Sequence, residues 1–315
     1  MTFRTILRSA FVFAATLLFG ATAHAGVFRA YVSSTGSDAN ACTLPAPCRL
    51  LPAALAAVND GGEIWMLDSA NYNTATVIIG KSVSILAIPG AVGSVLATGG
   101  PAISITAPKL TVALRNLVIV PLPGTGGTHG VEMTGASALT IEKSLLANLA
   151  ADGVHVAGTG NVAIADTNIR NNVGVAVYLN DGATANISNS RLLNNNSGGV
   201  LAQSDTATTT KAAVSDTVIS GATNSSFGVF ATSSIAGGAA SIFVTRSIIQ
   251  NTGFPLDSNT SGAGWSLVAV SYSMIVNNSY AWYQVGSGSG IRSLGNNHIA
   301  NNNSTYGSLI TSTLQ

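Results

Sequence analysis

IEKSLLAN (141–148), IADTNIRN (164–171), ISNSRLLN (187–194), VSDTVISG (214–221), VTRSIIQN (244–251), VSYSMIVN (270–277) and LGNNHIAN (294–301) are versions of one line, I-x-x-[ST]-x-I-x-N. Their small polar residues, Ser144, Thr167, Ser190, Thr217, Ser247, Ser273 and Asn297, recur every 23 to 30 residues. An uneven period in this range predicts a solenoid whose insertions fall in loops. Stacking the copies gives two apolar columns, Ile141, Ile164, Ile187, Val214, Val244, Val270, Leu294 and Leu146, Ile169, Leu192, Ile219, Ile249, Ile275, Ile299. Coils stacked about 4.8 Å apart would place each column inside. Burying one such side chain is worth roughly 1.5–3 kcal/mol, so the columns supply a core. The column Asn148, Asn171, Asn194, Gly221, Asn251, Asn277, Asn301 reads as turns, because Asn and Gly tolerate left-handed backbone. Stacked Asn amides can also bond from rung to rung.

A second short strand accompanies the line, often led by glycine: GVEM (130–133), GVHV (153–156), GVAV (174–177), GVLA (199–202) and GVFA (228–231). Their alternation of apolar residues indicates strands. The inward column is Val131, Val154, Val175, Val200, Val229 and the outward one Glu132, His155, Ala176, Leu201, Phe230. Offset alone extends the outward column to Asp257 and Tyr283. Upstream, LRNLVIV (114–120) reads as a degenerate copy, with Asn116 in the small polar place and Val118 inward. Residues 203–211 and 232–240 read as loops that lengthen their rungs.

This pattern resembles the right-handed parallel β-helix of the pectin-lyase-like superfamily. The expected fold is therefore all-β, a single-stranded right-handed parallel β-helix with an N-terminal capping α-helix. That fold hosts lyases, hydrolases, adhesins and non-catalytic proteins, so it does not by itself fix a function. The opening, with YVSSTGSD (31–38), CTLPAPC (42–48) and GGEIWML (61–67), is similar to the start of many exported bacterial β-helix proteins.

Residues 1–25 read as a secretory signal peptide: Arg4 and Arg8, then the apolar Ala10–Phe19, then Ala23-His24-Ala25. Residues 26–63 read as an N-terminal cap and 64–315 as the β-helix. Within the cap, Leu50–Asn59 reads as an amphipathic helix, with Pro52 in its first turn and Gly61-Gly62 as the stop. In an exported chain the only two cysteines, Cys42 and Cys48, are expected to form one disulfide. After the signal no stretch is long enough to span a membrane as a helix. The expected location is secreted: extracellular, periplasmic or at a cell surface.

Only 8% of residues are charged, with a net charge of +1 and no basic stripe, which argues against nucleic acid as a partner. Two outward clusters carry candidate chemistry. Glu132 and His155, with Asp152 just before the strand, form a candidate acid–base site. Phe230, Asp257 and Tyr283 form a candidate ligand-binding site, since aromatic faces stack on sugars and a carboxylate accepts hydroxyl hydrogen bonds. Aromatics concentrate from Phe227 onward, and between Met66 and Ser226 they are Tyr72 and Tyr178 alone. Trp265, Trp282, Tyr280 and Tyr306 also fit a role in filling or covering the C-terminal end.

The clustered acids and basic residue of pectate-lyase-like enzymes, and the N-T-D, D-D, G-H-D and R-I-K motifs of polygalacturonase-like ones, do not occur here. No cofactor and no metal site is expected; calcium would enter only if the chain were a lyase. His129 and His298 have no partner visible in the sequence. The leading expectation is a non-catalytic exported protein that binds polysaccharide or cell-surface glycan. The alternatives are a polysaccharide lyase or glycoside hydrolase, and a structural or adhesive scaffold. The oligomeric state stays open.

Overall fold

Alternating apolar residues set every third strand above an equivalent one, and the chain closes into a parallel coil. The computed structural model describes residues 26–312. The signal-peptide reading of residues 1–25 lies outside them. Each turn gives one strand to each of three parallel sheets. A long sheet of twelve strands runs from Val27–Val32 to Leu309–Thr311. A short-strand sheet of ten runs from Ala70–Asn71 to His298–Ala300. A glycine-led sheet of ten runs from Val77–Ile78 to Ser304–Tyr306. Among the described residues no helix is long and apolar enough to cross a membrane.

The columns are packed side chains. Ile141, Ile164, Ile187, Val214, Val244 and Val270 stack in register. The last member is Ser293, not Leu294, one residue earlier than expected. Leu146, Ile169, Leu192, Ile219, Ile249, Ile275 and Ile299 stack as the sequence pattern predicts. On the glycine-led sheet the third member is Val177, not Val175. Ala176 occupies the place that Gly153 and Gly199 fill on the neighbouring rungs. A Cβ at Gly153 would lie 2.4 Å from Ile169 Cγ2, so that rung takes only glycine. On its own rung Ala176 keeps its methyl, fully buried, and the GV signal two residues early is a decoy.

Two corners per coil need left-handed backbone. The asparagine column supplies one, with φ between 53° and 62° at Asn148, Asn171, Asn194, Asn251, Asn277 and Asn301, whereas Gly221, expected in the same column, is not left-handed. Its amides point away, and the rung-to-rung amide bonds come one residue later. Asn172 donates from N and Nδ2 to Asn195 Oδ1 at 3.2 and 2.9 Å, and Asn278 Nδ2 reaches Asn302 Oδ1 at 2.9 Å.

The other corner falls on Lys143, Asp166, Asn189, Asp216, Arg246 and Tyr272, with φ between 46° and 52°. These residues are held by the small polar column beside them. Ser144 N–H donates to Thr167 Oγ1, Thr167 N–H to Ser190 Oγ, and so on through Thr217, Ser247 and Ser273 to Asn297 Oδ1, at 2.9–3.4 Å. Each hydroxyl in turn donates to the carbonyl two residues back, as Thr167 does to Ala165 O at 2.8 Å.

Upstream the reading of LRNLVIV is corrected by one residue. Leu117 stands above Ser144, its N–H donating to Ser144 Oγ at 3.1 Å, and Ile119 faces inward. Asn116, with φ 55°, is the corner. The expected loops shrink to 205–208 and 234–238, because Gly198–Ser204, Thr209–Ser215, Phe227–Ser233 and Ala239–Thr245 extend into them.

The helix spans Leu51–Ala57, shorter than the expected Leu50–Asn59. It stops where Val58 enters the strand Val58–Met66, which pairs with Val27–Val32 and Val83–Ala87. The expected boundary between residues 63 and 64 therefore falls inside the strand Val58–Met66, and both Val27–Val32 and Val58–Met66 belong to the long sheet. The helix buries Leu51, Ala54 and Leu55 and lies against Val27–Val32, Val58–Met66 and Val77–Ile78. Cys42 and Cys48 form a disulfide, and both are buried. The loop they close is tied to the first strand by Tyr31 N–H to Cys42 O at 2.8 Å and Cys48 N–H to Tyr31 O at 2.9 Å.

Candidate functional site

The outer face of the glycine-led sheet carries one continuous column. In-register pairing runs Ser104, Glu132, His155, Tyr178, Leu201, Phe230, Asp257, Tyr283, Tyr306. Tyr178 replaces the expected Ala176, which the shift at Ala176 turns inward and buries. Chemistry concentrates at two places along this column.

The first is centred on Asp152, which precedes the strand Val154–Ala157 and is 8% exposed. Its Oδ1 accepts Val175 N–H at 2.8 Å. It fits because residue 174 is glycine: a side chain there would come within 2.2 Å of that oxygen. Its Oδ2 lies 3.0 Å from His155 Nδ1 and 3.3 Å from His129 Nδ1. The imidazoles are 4.8 Å apart between centroids, and Tyr178 stands edge-on to His155 at 4.7 Å. Burial pushes the Asp152 carboxyl up, but His129, His155 and Val175 N–H together outweigh it and hold it well below the usual carboxylate range.

Asp152 and His155 thus meet. Glu132 pairs with His155 through the backbone, yet among the described residues no hydrogen bond joins their side chains. The residue the sequence reading left without a partner, His129, takes part instead. Its signal was available: His129-Gly130 and Asp152-Gly153 occupy equivalent places before successive glycine-led strands.

The second place lies toward the C-terminal end. Phe230, Asp257 and Tyr283 stand on successive rungs. Around them Phe254 stacks on Tyr280 (5.2 Å, 16°) and meets Tyr283 edge-on (4.8 Å), and Tyr283 stacks on Tyr306 (4.9 Å, 23°). Phe227 lies 5.5 Å from Phe230. These rings are half-buried except Tyr306, which is 53% exposed. The rings expected to fill or cover the end divide: Trp282 packs on the core and donates Nε1–H to Gly307 O at 3.3 Å, while Trp265 is exposed. Asp257 is buried, and its Oδ1 has no hydrogen-bond partner. Burial raises its carboxyl to about 7. The arrangement offers partly exposed rings on the outer face, with the Asp257 carboxyl shielded beneath them.

Residues 116–313 match the family described as the right-handed β-helix region. No characterised protein matches the sequence. Among solved structures, the chain is similar to pectate lyase Pel9A at 14% identity, over 92% of this chain and 78% of that one, with a TM-score of 0.42. It is similar to the complex of XylC with xylose at 8% identity, over 90% and 69%, with a TM-score of 0.45. A third is the GH136 lacto-N-biosidase from Eubacterium ramulus, at 11% identity, over 91% and 68%, with a TM-score of 0.41. At these identities the likeness is one of fold.

Proposed function

The chain belongs to the right-handed β-helix family, and from that premise we propose that it is an exported, non-catalytic protein that binds a neutral polysaccharide along the outer face of its glycine-led sheet. The observation that carries this reading is the set of partly exposed rings, Phe230, Tyr283 and Tyr306, in one outward column of the sheet. Sugar rings present apolar C–H faces that stack on aromatic rings and hydroxyls at their edges. A rigid sheet holds Phe230, Tyr283 and Tyr306 in one outward column, with Asp257 between the first two, so a sugar chain laid along it would pass the uncovered parts of these rings in turn. The column from Leu201 to Tyr306 contains no Lys or Arg, which favours a neutral ligand over a uronate. Export is supported by the signal-like residues 1–25 and by the Cys42–Cys48 disulfide. The helix Leu51–Ala57 is proposed to cover the N-terminal end of the coil, as a solenoid end requires.

A polysaccharide lyase or hydrolase is the second reading. The contact of Asp152 with His155 favours it, since a carboxylate that orients an imidazole prepares it as a base. Glycosidases of the usual kind place two carboxyl groups about 5–10 Å apart, and in this reading Glu132, on the rung beside His155, would be the second carboxyl beside Asp152. One experiment separates the readings. The purified protein is screened against a panel of neutral and acidic polysaccharides, scoring both retention and release of reducing or unsaturated ends. Retention of a neutral polysaccharide without release is expected. Phe230→Ala and Tyr283→Ala should each weaken it about tenfold, in line with losing one stacking partner. Release of ends would overturn the non-catalytic reading, and retention of no polysaccharide would overturn the binding reading.

A further inference from the structure

We infer that His129, Asp152 and His155 form a binding site for a borderline divalent transition metal of the zinc class, independent of the polysaccharide reading. Three donor atoms, one from each residue, lie within 4.8 Å of one another. Two of the separations, 3.0 and 3.3 Å from Asp152 Oδ2 to the two Nδ1 atoms, are close to a tetrahedral edge. A tetrahedral zinc ion with bonds of about 2.0–2.1 Å sets its donors about 3.3 Å apart.

His129 Nδ1 also lies 3.2 Å from the backbone N of Asp152, so the imidazole is placed against both the backbone and the carboxylate of that residue.

The surroundings hold the ligands in place. Asp152 Oδ1 is pinned by Val175 N–H, so Oδ2 is presented to the imidazoles in a fixed direction. A hydrogen bond to the far oxygen of a ligating carboxylate is the usual outer support of a metal site. Gly174 leaves the carboxylate the room it needs. Two imidazoles and one carboxylate suit zinc and its neighbours, whereas calcium takes six to eight oxygen donors and magnesium a nearly octahedral oxygen shell. Three protein ligands leave a position for water on the outer face.

The test is calorimetric titration of the chelator-stripped protein with zinc, calcium or magnesium chloride, together with melting curves in each ion. One equivalent of zinc should bind and raise the melting temperature. His129→Ala and His155→Ala should each weaken zinc at least tenfold. Both residues are only half-buried, so these variants should melt, metal-free, within a few degrees of the parent. His298→Ala, at an exposed imidazole elsewhere, should bind as the parent does. Absence of zinc binding, undiminished binding in the His129→Ala/His155→Ala double variant, or preference for calcium over zinc would each overturn the site.

Discussion

Asp257 ties stability to pH more directly than any other residue on the outer column. Its carboxyl is raised from 3.8 to about 7 by burial. Between about pH 4 and 7 the native protein therefore keeps a proton that the unfolded chain releases. Stability falls as pH rises through that window and levels off above it. The effect is at most about 4 kcal/mol, given about 1.4 kcal/mol per pH unit. Asp257→Asn should flatten the profile and raise the melting temperature at pH 8 relative to the parent. Equal melting temperatures of the parent at pH 5 and pH 8 would show that the carboxyl is not held neutral. The register that sets Asp257 between Phe230 and Tyr283 was legible from offset, because strand lengths there follow the repeat. Tyr178 was not legible, since Gly174-Val175 imitates the glycine-led signal while the true small residue is Ala176. His129 was overlooked because its partners lie a full coil away and only its place before Gly130 marks it.

At the scale of the strand and its corner, the small polar column matters most. The sequence displayed it without its purpose. Thr167 shows that purpose: its hydroxyl accepts Ser144 N–H and donates to Ala165 O, closing two backbone groups at a corner whose neighbours Lys143 and Asp166 both have positive φ. The cost of left-handed backbone at Arg246 or Tyr272 is offset by the same hydroxyl bonds on their own rungs. Thr167→Val keeps the shape and removes both bonds. Leaving a buried N–H unsatisfied costs about 1–3 kcal/mol. A matching loss in denaturant melts is expected, with Thr167→Ser recovering most of it. A Val variant as stable as the parent would show that the ladder contributes nothing. The asparagine corners were read correctly from residue type, but Gly221 in the same column is not one of them. The amide bonds were expected one place too early, because a corner residue in the left-handed region turns its side chain outward and leaves the next residue, Asn172 or Asn195, buried.

Across the whole molecule, three parallel sheets share one core, and each coil touches chiefly the coils above and below. Such a structure tolerates loss of a whole repeat better than loss of part of one. Ser190 follows Thr167 by 23 residues in the ladder. Removing residues 167–189 should therefore leave a folded, cooperatively melting protein one coil shorter. Removing one residue more should not, because a one-residue slip turns each inward side chain of a strand to the outside. Circular dichroism and melting of the two variants would decide it. The coil was legible because its period is written in residue type. The join at residues 26–63 was not, since Val58–Met66 begins among Asn, Asp and Gly residues that read as a loop.

The hydroxyl ladder also has a direction. Every amide in it is closed by the residue one coil later, from Leu117 through to Ser273. A chain emerging N-terminus first therefore finishes each turn by laying down the next, and growth never requires a completed turn to be reopened.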